Sequence, residues 1–375
     1  MENWYKTRCR KVVRRCWFVS CLLVIAIIAT AIVALTIQTT HRSLMQSSIN
    51  TDNQDVNGAV ENIFRRDLNR SDDEAKTEHQ INIFTQIAWT TLLQSLKKKK
   101  CPTPSLAPNL PGKKGVGFTL REEGQPGSWV ENIPKVTKLI PYWNYSWGPQ
   151  RIAQQPNNIE FVPMIWGGNV ADRLKEAITT HILPQIKNGT VKRVLGFNEP
   201  DAEEQSNMEV SVALNRWKEL ESMNIPLVSP SCALPGNEWM KSFMKSVDKN
   251  CRRINWVGVH WYGTNFKSFQ SAMIKFHDLY DRPILVTEFA LADWNATKVS
   301  ENKISKATTL MFMKEALYWL ETQSWIVGYA WFSFNATSPA GTNSALFTED
   351  GTMTTLGTFY ASVRTNRPRG DRNII

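Results

Sequence analysis

Between residues 113 and 363 the chain repeats one unit eight times, a short apolar run followed by a helix-length stretch. The runs fall at 116–118, 139–142, 161–165, 194–197, 227–228, 256–260, 284–287 and 327–332. Amphipathic segments lie between them, among others at 171–186, 210–223, 268–279 and 303–322. A strand that is apolar along its whole length needs cover on both faces, which helices alternating with strands provide in a parallel sheet. Eight such units in about 250 residues match the number and size of a (β/α)8, or TIM, barrel. The rival is a doubly wound open sheet, but no glycine-rich phosphate loop follows the first run. The expectation is therefore α/β, a barrel over 113–363.

In such a barrel the chemistry sits at the carboxyl ends of the strands. The second run is followed by Trp143, Asn144 and Trp147, and the third by Trp166. Asn198 and Glu199 follow the fourth, and Ser229 and Ser231 the fifth. His260, Trp261 and Tyr262 end the sixth, Glu288 the seventh, and Trp331 with Ser333 the eighth. An acid at the end of an apolar strand costs several kcal/mol unless it is partnered. Two of them at one barrel mouth are the minimum apparatus for hydrolysing a glycosidic bond. Tryptophan faces suit the C–H surface of a sugar ring, and amides and hydroxyls suit its hydroxyl groups. With fifteen tryptophans in the chain, each one taken singly is more readily core than cleft. His260 has two readings, a ligand for a sugar hydroxyl or a hydrogen-bonded structural group.

The net charge of +10 is concentrated outside this region. Lys6, Arg8, Arg10, Lys11, Arg14 and Arg15 crowd the cytoplasmic-type basic tail of 1–15, Lys97 to Lys100 form a second run, and four arginines lie in the last dozen residues. No basic groove with interleaved aromatics appears elsewhere, which argues against a nucleic-acid partner. Residues 16–37 carry no charge, and about 22 residues suffice to cross a bilayer as a helix. The preceding cations place the amino terminus in the cytoplasm, giving a single-pass type II protein with its bulk luminal or extracellular. Ala29-Thr30-Ala31 leaves a cleaved signal peptide as the alternative. Residues 38–112 read as a stalk with a proline-rich end. Phe84, Ala88, Leu92 and Leu96 predict a helix that packs on the domain or pairs with another copy. Residues 364–375 form a polar tail containing Arg369-Gly370-Asp371. Cys232 and Cys251 could form a disulfide in an oxidising compartment, leaving Cys101 over. N-glycosylation sequons stand at Asn69, Asn144, Asn188, Asn295 and Asn335. No spacing resembles a metal site, and nothing requires an organic cofactor.

Four segments carry a resemblance: 196–201 (GFNEPD), 260–262 (HWY), 286–289 (VTEF) and 329–332 (YAWF). In this order and spacing, residues 113–363 resemble the alkali-sensitive-linkage-protein-like glycosyl hydrolase catalytic core, glycoside hydrolase family 128, in the clan of retaining (β/α)8 glycosidases. The resemblance implies an endo-β-1,3-glucanase acting on a β-glucan-like polysaccharide, with Glu199 as acid/base and Glu288 as nucleophile. On that footing Asn198 would bond the substrate 2-hydroxyl, Tyr262 would donate to Glu288, and Trp331 would floor the cleavage subsite. A catalytically silent glycan-binding protein on the same barrel is the main alternative, and a stalked adhesion protein another. Two retained carboxylates at facing strand ends favour the enzyme.

Overall fold

The computed structural model describes residues 112–364. The expected membrane span at 16–37, the stalk, Asn69, Cys101 and the Arg-Gly-Asp tripeptide lie outside the described residues. No helix among the described residues is long and apolar enough to cross a membrane.

The described residues hold eight parallel strands: β1 (Lys114–Gly117), β2 (Trp143–Tyr145), β3 (Glu160–Phe161), β4 (Val194–Leu195), β5 (Leu227–Val228), β6 (Val257–Gly263), β7 (Ile284–Leu291) and β8 (Ile326–Trp331). Six pair in the order β3-β2-β1-β8-β7-β6, and β4 pairs with β5. Parallel bridges Met164↔Leu195 and Val228↔Trp256 join the two groups on both sides. The result is one parallel ring, the arrangement of a (β/α)8 barrel.

The main helices are α1 (Trp129–Leu139), α2 (Ala171–Glu176), α3 (Leu183–Lys187), α4 (Val210–Ser222), α5 (Glu238–Lys249), α6 (Phe266–Tyr280), α7 (Lys306–Thr322) and α8 (Thr355–Ser362). A π-helical segment, Ala177–Ile182, joins α2 to α3. The helices form for local reasons. Asn237 accepts from Met240 N to cap α5, whose buried Met240, Phe243, Met244 and Val247 recur at the spacing of one helix face. Asn265 caps α6 in the same way, with Phe269, Met273, Phe276 and Tyr280 facing in.

The second run is the one misplaced strand. Residues 136–139 complete the apolar face of α1, which stops where Ile140 turns left-handed (φ +51°) ahead of Pro141. The strand begins only at Trp143, so Trp143 and Asn144 are strand residues and not strand-end residues.

Two apolar layers result. The larger lies between strands and helices and includes Val116, Phe289, Phe312 and Trp331. The smaller fills the barrel itself with Trp143, Tyr145, Met164, Leu195, Trp256 and Leu285. Glycines on β1 make room for the aromatic rings of β2. A Cβ at Gly115 would lie 2.1 Å from the Trp143 ring, and one at Gly117 would lie 2.8 Å from Tyr145 and 2.9 Å from Trp147.

The expected Cys232–Cys251 bridge does not form. Cys232 is a buried free thiol, and Cys251 is disulfide-bonded, to a cysteine other than Cys232. Cys232 sits after β5 beside Asp201, whereas Cys251 lies past the far end of α5, so a whole helix separates them.

Candidate active site

Alternation along β6 turns His260 and Tyr262 inward and leaves Trp261 to pack among Phe269 and Phe312 on the helix side. β7 needs a correction to do the same. Leu285 faces the barrel interior and Phe289 the helices, so strict alternation would point Glu288 outward. The pairing shifts at that point: Val259↔Val286 is followed by His260↔Glu288, and Val286↔Tyr329 by Phe289↔Trp331. Thr287 is thus one extra residue, a β-bulge that re-aims Glu288 into the mouth of the barrel. Its hydroxyl is held by Ser231 Oγ at 3.0 Å and donates to the Val259 carbonyl at 3.2 Å.

Three donors then converge on Glu288. Trp147 Nε1 donates to Oε1 at 2.8 Å and Tyr262 OH to Oε2 at 2.6 Å, while the Tyr145 hydroxyl divides its one proton between the Thr287 carbonyl at 2.9 Å and Oε1 at 3.3 Å. Burial first, and the Glu288 charge second, push both tyrosine hydroxyls well above their ordinary pKa, so both remain donors.

Glu199 stands across the mouth with its backbone at φ +42°. A non-glycine residue in that region carries about 1–3 kcal/mol of strain, a cost met mainly at functional sites. His260 lies between the two acids. Its Nδ1 is 2.8 Å from Glu199 Oε1, and its Nε2 is 3.4 Å from Glu288 Oε1. Burial is the largest single influence on the ring and pulls its pKa down. Glu288, Glu199 and Asp201 together outweigh it, and the net shift is upward. One oxygen of each glutamate and a nitrogen of His260 lie within 4.8 Å of one another. Among the described residues these three are the ones that could converge on a cation, although Nδ1 is already engaged by Glu199.

Asn198, buried next to Glu199, donates from Nδ2 to Gln205 Oε1 at 3.2 Å and leaves Oδ1 without a partner. A buried acceptor left open beside an acid suits a ligand hydroxyl. The walls are aromatic. Trp147, Thr119 and Arg121 line both a cavity of about 410 Å³, which Trp166 also lines, and one of about 720 Å³ that Phe332 and Phe334 also line.

Three expected cleft residues lie elsewhere. Trp331 is in register with Val116 and Phe289, faces the helices, and donates to the Ser344 carbonyl at 2.9 Å. Phe332, one residue on, contacts Trp147 and Tyr262 in its place. Trp143 is fully buried in the barrel against Arg193. Asn144 is fully buried too, with Oδ1 accepting from Gln155 at 2.7 Å, so it can neither touch a sugar nor carry a glycan in this fold. Asn188, Asn295 and Asn335 are exposed. Tyr145 was not anticipated. Its hydroxyl reaches Glu288 because β2 begins later than the apolar run suggests, and the Trp-x-Tyr alternation of 143–145 is the signal that could have found it. Trp294, 63% exposed beside Tyr262, was also missed.

Residues 130–360 match the profile of the glycosyl hydrolase catalytic core family. The chain belongs to that family. It is a glycoside hydrolase, and its solved neighbours are members of glycoside hydrolase family 128. An Amycolatopsis mediterranei endo-β-1,3-glucanase of subgroup I, in complex with laminarihexaose, is 29% identical with a TM-score of 0.55 over 68% of this chain and 100% of that one. The same glucanase with laminaritriose is 30% identical, with a TM-score of 0.54 over 67% and 98%. A subgroup II endo-β-1,3-glucanase from Sorangium cellulosum, 22% identical with a TM-score of 0.53 over 68% and 100%, shares the fold. No curated protein matches the chain.

Proposed function

We propose that this glycoside hydrolase is a retaining endo-β-1,3-glucanase in which Glu199 is the acid/base and Glu288 the nucleophile. The observation that carries the reading is the approach of the two carboxylates, an oxygen of each within 4.8 Å with His260 between them. Retaining glycosidases hold their two carboxyl groups about 5–5.5 Å apart, whereas inverting ones leave about 6.5–9.5 Å for a water. The laminari-oligosaccharides bound by the Amycolatopsis glucanase support the substrate class.

In the first step a Glu288 oxygen attacks the anomeric carbon and Glu199 gives its proton to the departing glycosidic oxygen. The donors Trp147, Tyr145 and Tyr262 orient the attacking carboxylate. His260 Nδ1, 2.8 Å from Glu199 Oε1, holds that carboxyl in place beside the leaving oxygen. In the second step Glu199 takes a proton from water as that water attacks the glycosyl-enzyme, so the configuration is restored. Asn198 Oδ1 accepts from a sugar hydroxyl, and Trp147, Trp166 and Phe332 supply apolar walls. Two cavities that share Trp147 in their walls suit the interior of a glucan chain.

The same proposal places the domain outside the cytosol, anchored through 16–37. The disulfide at Cys251 supports an oxidising compartment. Glycans are expected at the exposed Asn188, Asn295 and Asn335.

The test is hydrolysis of linear β-1,3-glucan oligosaccharides, with product size and anomeric configuration followed over time. Internal cleavage with retained configuration, lost in Glu199→Gln and Glu288→Gln, is the expected result. Binding without cleavage would instead favour the silent glycan receptor.

A further inference from the structure

Glu199 keeps φ +42° although Pro200 follows it, and a residue ahead of proline is normally steered to extended backbone with negative φ. Two backbone hydrogen bonds close the turn: Glu199 N to the Ser231 carbonyl at 2.7 Å and Ala202 N to the Glu199 carbonyl at 3.1 Å. Asp201 adds a side-chain clamp. Its Oδ1 accepts from Ala233 N at 2.8 Å, and its Oδ2 accepts from Leu234 N at 3.0 Å and from Asn237 Nδ2 at 2.8 Å. Asn237 in turn caps α5 through Met240 N at 3.0 Å. A single carboxylate, two residues past Glu199, therefore fastens the β4 loop to the β5–α5 loop and to the first turn of a helix. Hydrogen bonds to an ionised acceptor are the stronger kind, and these three come from rigid backbone or from a capping side chain. Among the described residues Asp201 makes no hydrogen bond to Glu199, His260 or Glu288. Apart from its charge, which helps raise the His260 pKa, its effect on the reacting groups runs through the turn.

We propose that Asp201 is the positioning residue that holds the Glu199 carboxyl against His260. The proposal rests on Glu199 being the acid/base. Without the clamp the turn is free to relax to negative φ, and the carboxyl swings away from Nδ1 and from the departing oxygen. Loss of such a supporting contact typically lowers rates by about 10–100-fold.

The test uses the full-length protein carrying Asp201→Ala. On β-1,3-glucan, kcat is expected to fall by about 10–100-fold while KM stays within about twofold, because the aromatic walls Trp147, Trp166 and Phe332 lie on other loops. A dinitrophenyl β-glucoside needs no proton for its leaving group. The burst of dinitrophenolate is therefore expected to stay within about threefold of wild type, since acid catalysis is what the variant has lost. A crystal structure of the variant reads the positioning directly, whatever the substrate: Glu199 is expected at negative φ and out of hydrogen-bonding reach of His260. If the wild type cleaves no β-1,3-glucan, the assigned substrate fails, and the variant structure still decides the role of Asp201. Equal losses on both substrates, or a Glu199 that keeps its left-handed backbone and its bond to His260, would overturn the inference. Should Asp201→Ala not fold, Asn237→Ala removes one of the donors and is expected to give the same selective loss at smaller size. A loss that is absent or unselective there would overturn it equally.

Discussion

The two ends of this barrel both bury charge, and they treat it in opposite ways. At the amino-terminal end each buried cation is tied to acceptors of the fold, with only Arg193 Nη1 left without a partner. Lys113 Nζ donates to the carbonyls of Leu320, Glu321 and Gln323 at the end of α7. Lys114 Nζ does the same for Tyr360, Ala361 and Val363 at the end of α8, where the helix dipole favours a cation. Arg193 lies between the Trp143 and Trp256 rings and makes two hydrogen bonds to Glu160. At the carboxyl-terminal end two carboxylates of like sign are held together with one histidine between them. There Asn198 Oδ1 is left open, and the backbone of Glu199 is strained. One end spends its polar contacts on holding the fold, while the other keeps them available for a substrate. Substitutions at the two ends should therefore separate stability from rate.

The largest effect belongs to the mouth. Glu288→Gln is expected to lower kcat by on the order of 10⁴ or more, as loss of a reacting group does. Its melting temperature should be unchanged or raised, since a like-charged neighbour of Glu199 is removed. A marked loss of stability, read by calorimetry, would contradict the contrast between the ends. Next comes Arg193→Ala, which leaves Glu160 buried and unpaired. We expect a loss of about 3–5 kcal/mol in urea unfolding. The kcat per folded molecule should stay near wild type, and a rate loss as large as that of Glu288→Gln would mean that the barrel interior transmits to the site. Tyr262→Phe is smaller again. Removing a hydrogen bond to a charged acceptor costs about 1.5–3 kcal/mol, here expected as a fall in kcat with little change in stability.

How much of this was legible in the sequence follows from strand parity. His260 and Tyr262 could be read because β6 alternates without interruption from Val257. Glu288 was found by composition, as an acid closing an apolar run, but its aim depends on the bulge at Thr287, which no local pattern announces. Trp331 failed by a single residue of parity, and Phe332 occupies the place expected of it. Trp143 and Asn144 failed because the apolar end of α1 merges with the strand that follows, and only the left-handed Ile140 separates them. The clamp on Asp201 joins residues more than thirty positions apart, a relation visible only once β4 and β5 are side by side. Eight runs in order were enough for the ring. The direction of each side chain within it was not.

Lys114 gives the finest test of the contrast. Burial, and then the nearby charge of Arg364, lower its pKa to about 7 from the ordinary 10.5. Below about pH 7 both the folded and the unfolded chain carry the proton, and the desolvation penalty is present in full. Between about 7 and 10.5 the unfolded chain holds a proton that the folded one has released, so this group makes the fold more stable as the pH rises. The slope is at most about 1.4 kcal/mol per pH unit. His260 acts in the opposite sense. Its pKa is raised in the folded protein, so its contribution is present below its unfolded value and is lost as the pH rises through the folded one. Both terms exist in the wild type, whereas Lys114→Met keeps only that of His260. Urea unfolding of the two proteins at pH 7, 8 and 9 therefore isolates Lys114 by subtraction, with the wild type gaining on the variant as the pH rises. A constant difference would show a lysine charged throughout. The three carbonyls would then compensate its burial completely, and saturation of charge at this end would be stronger than the burial of Lys114 alone implies.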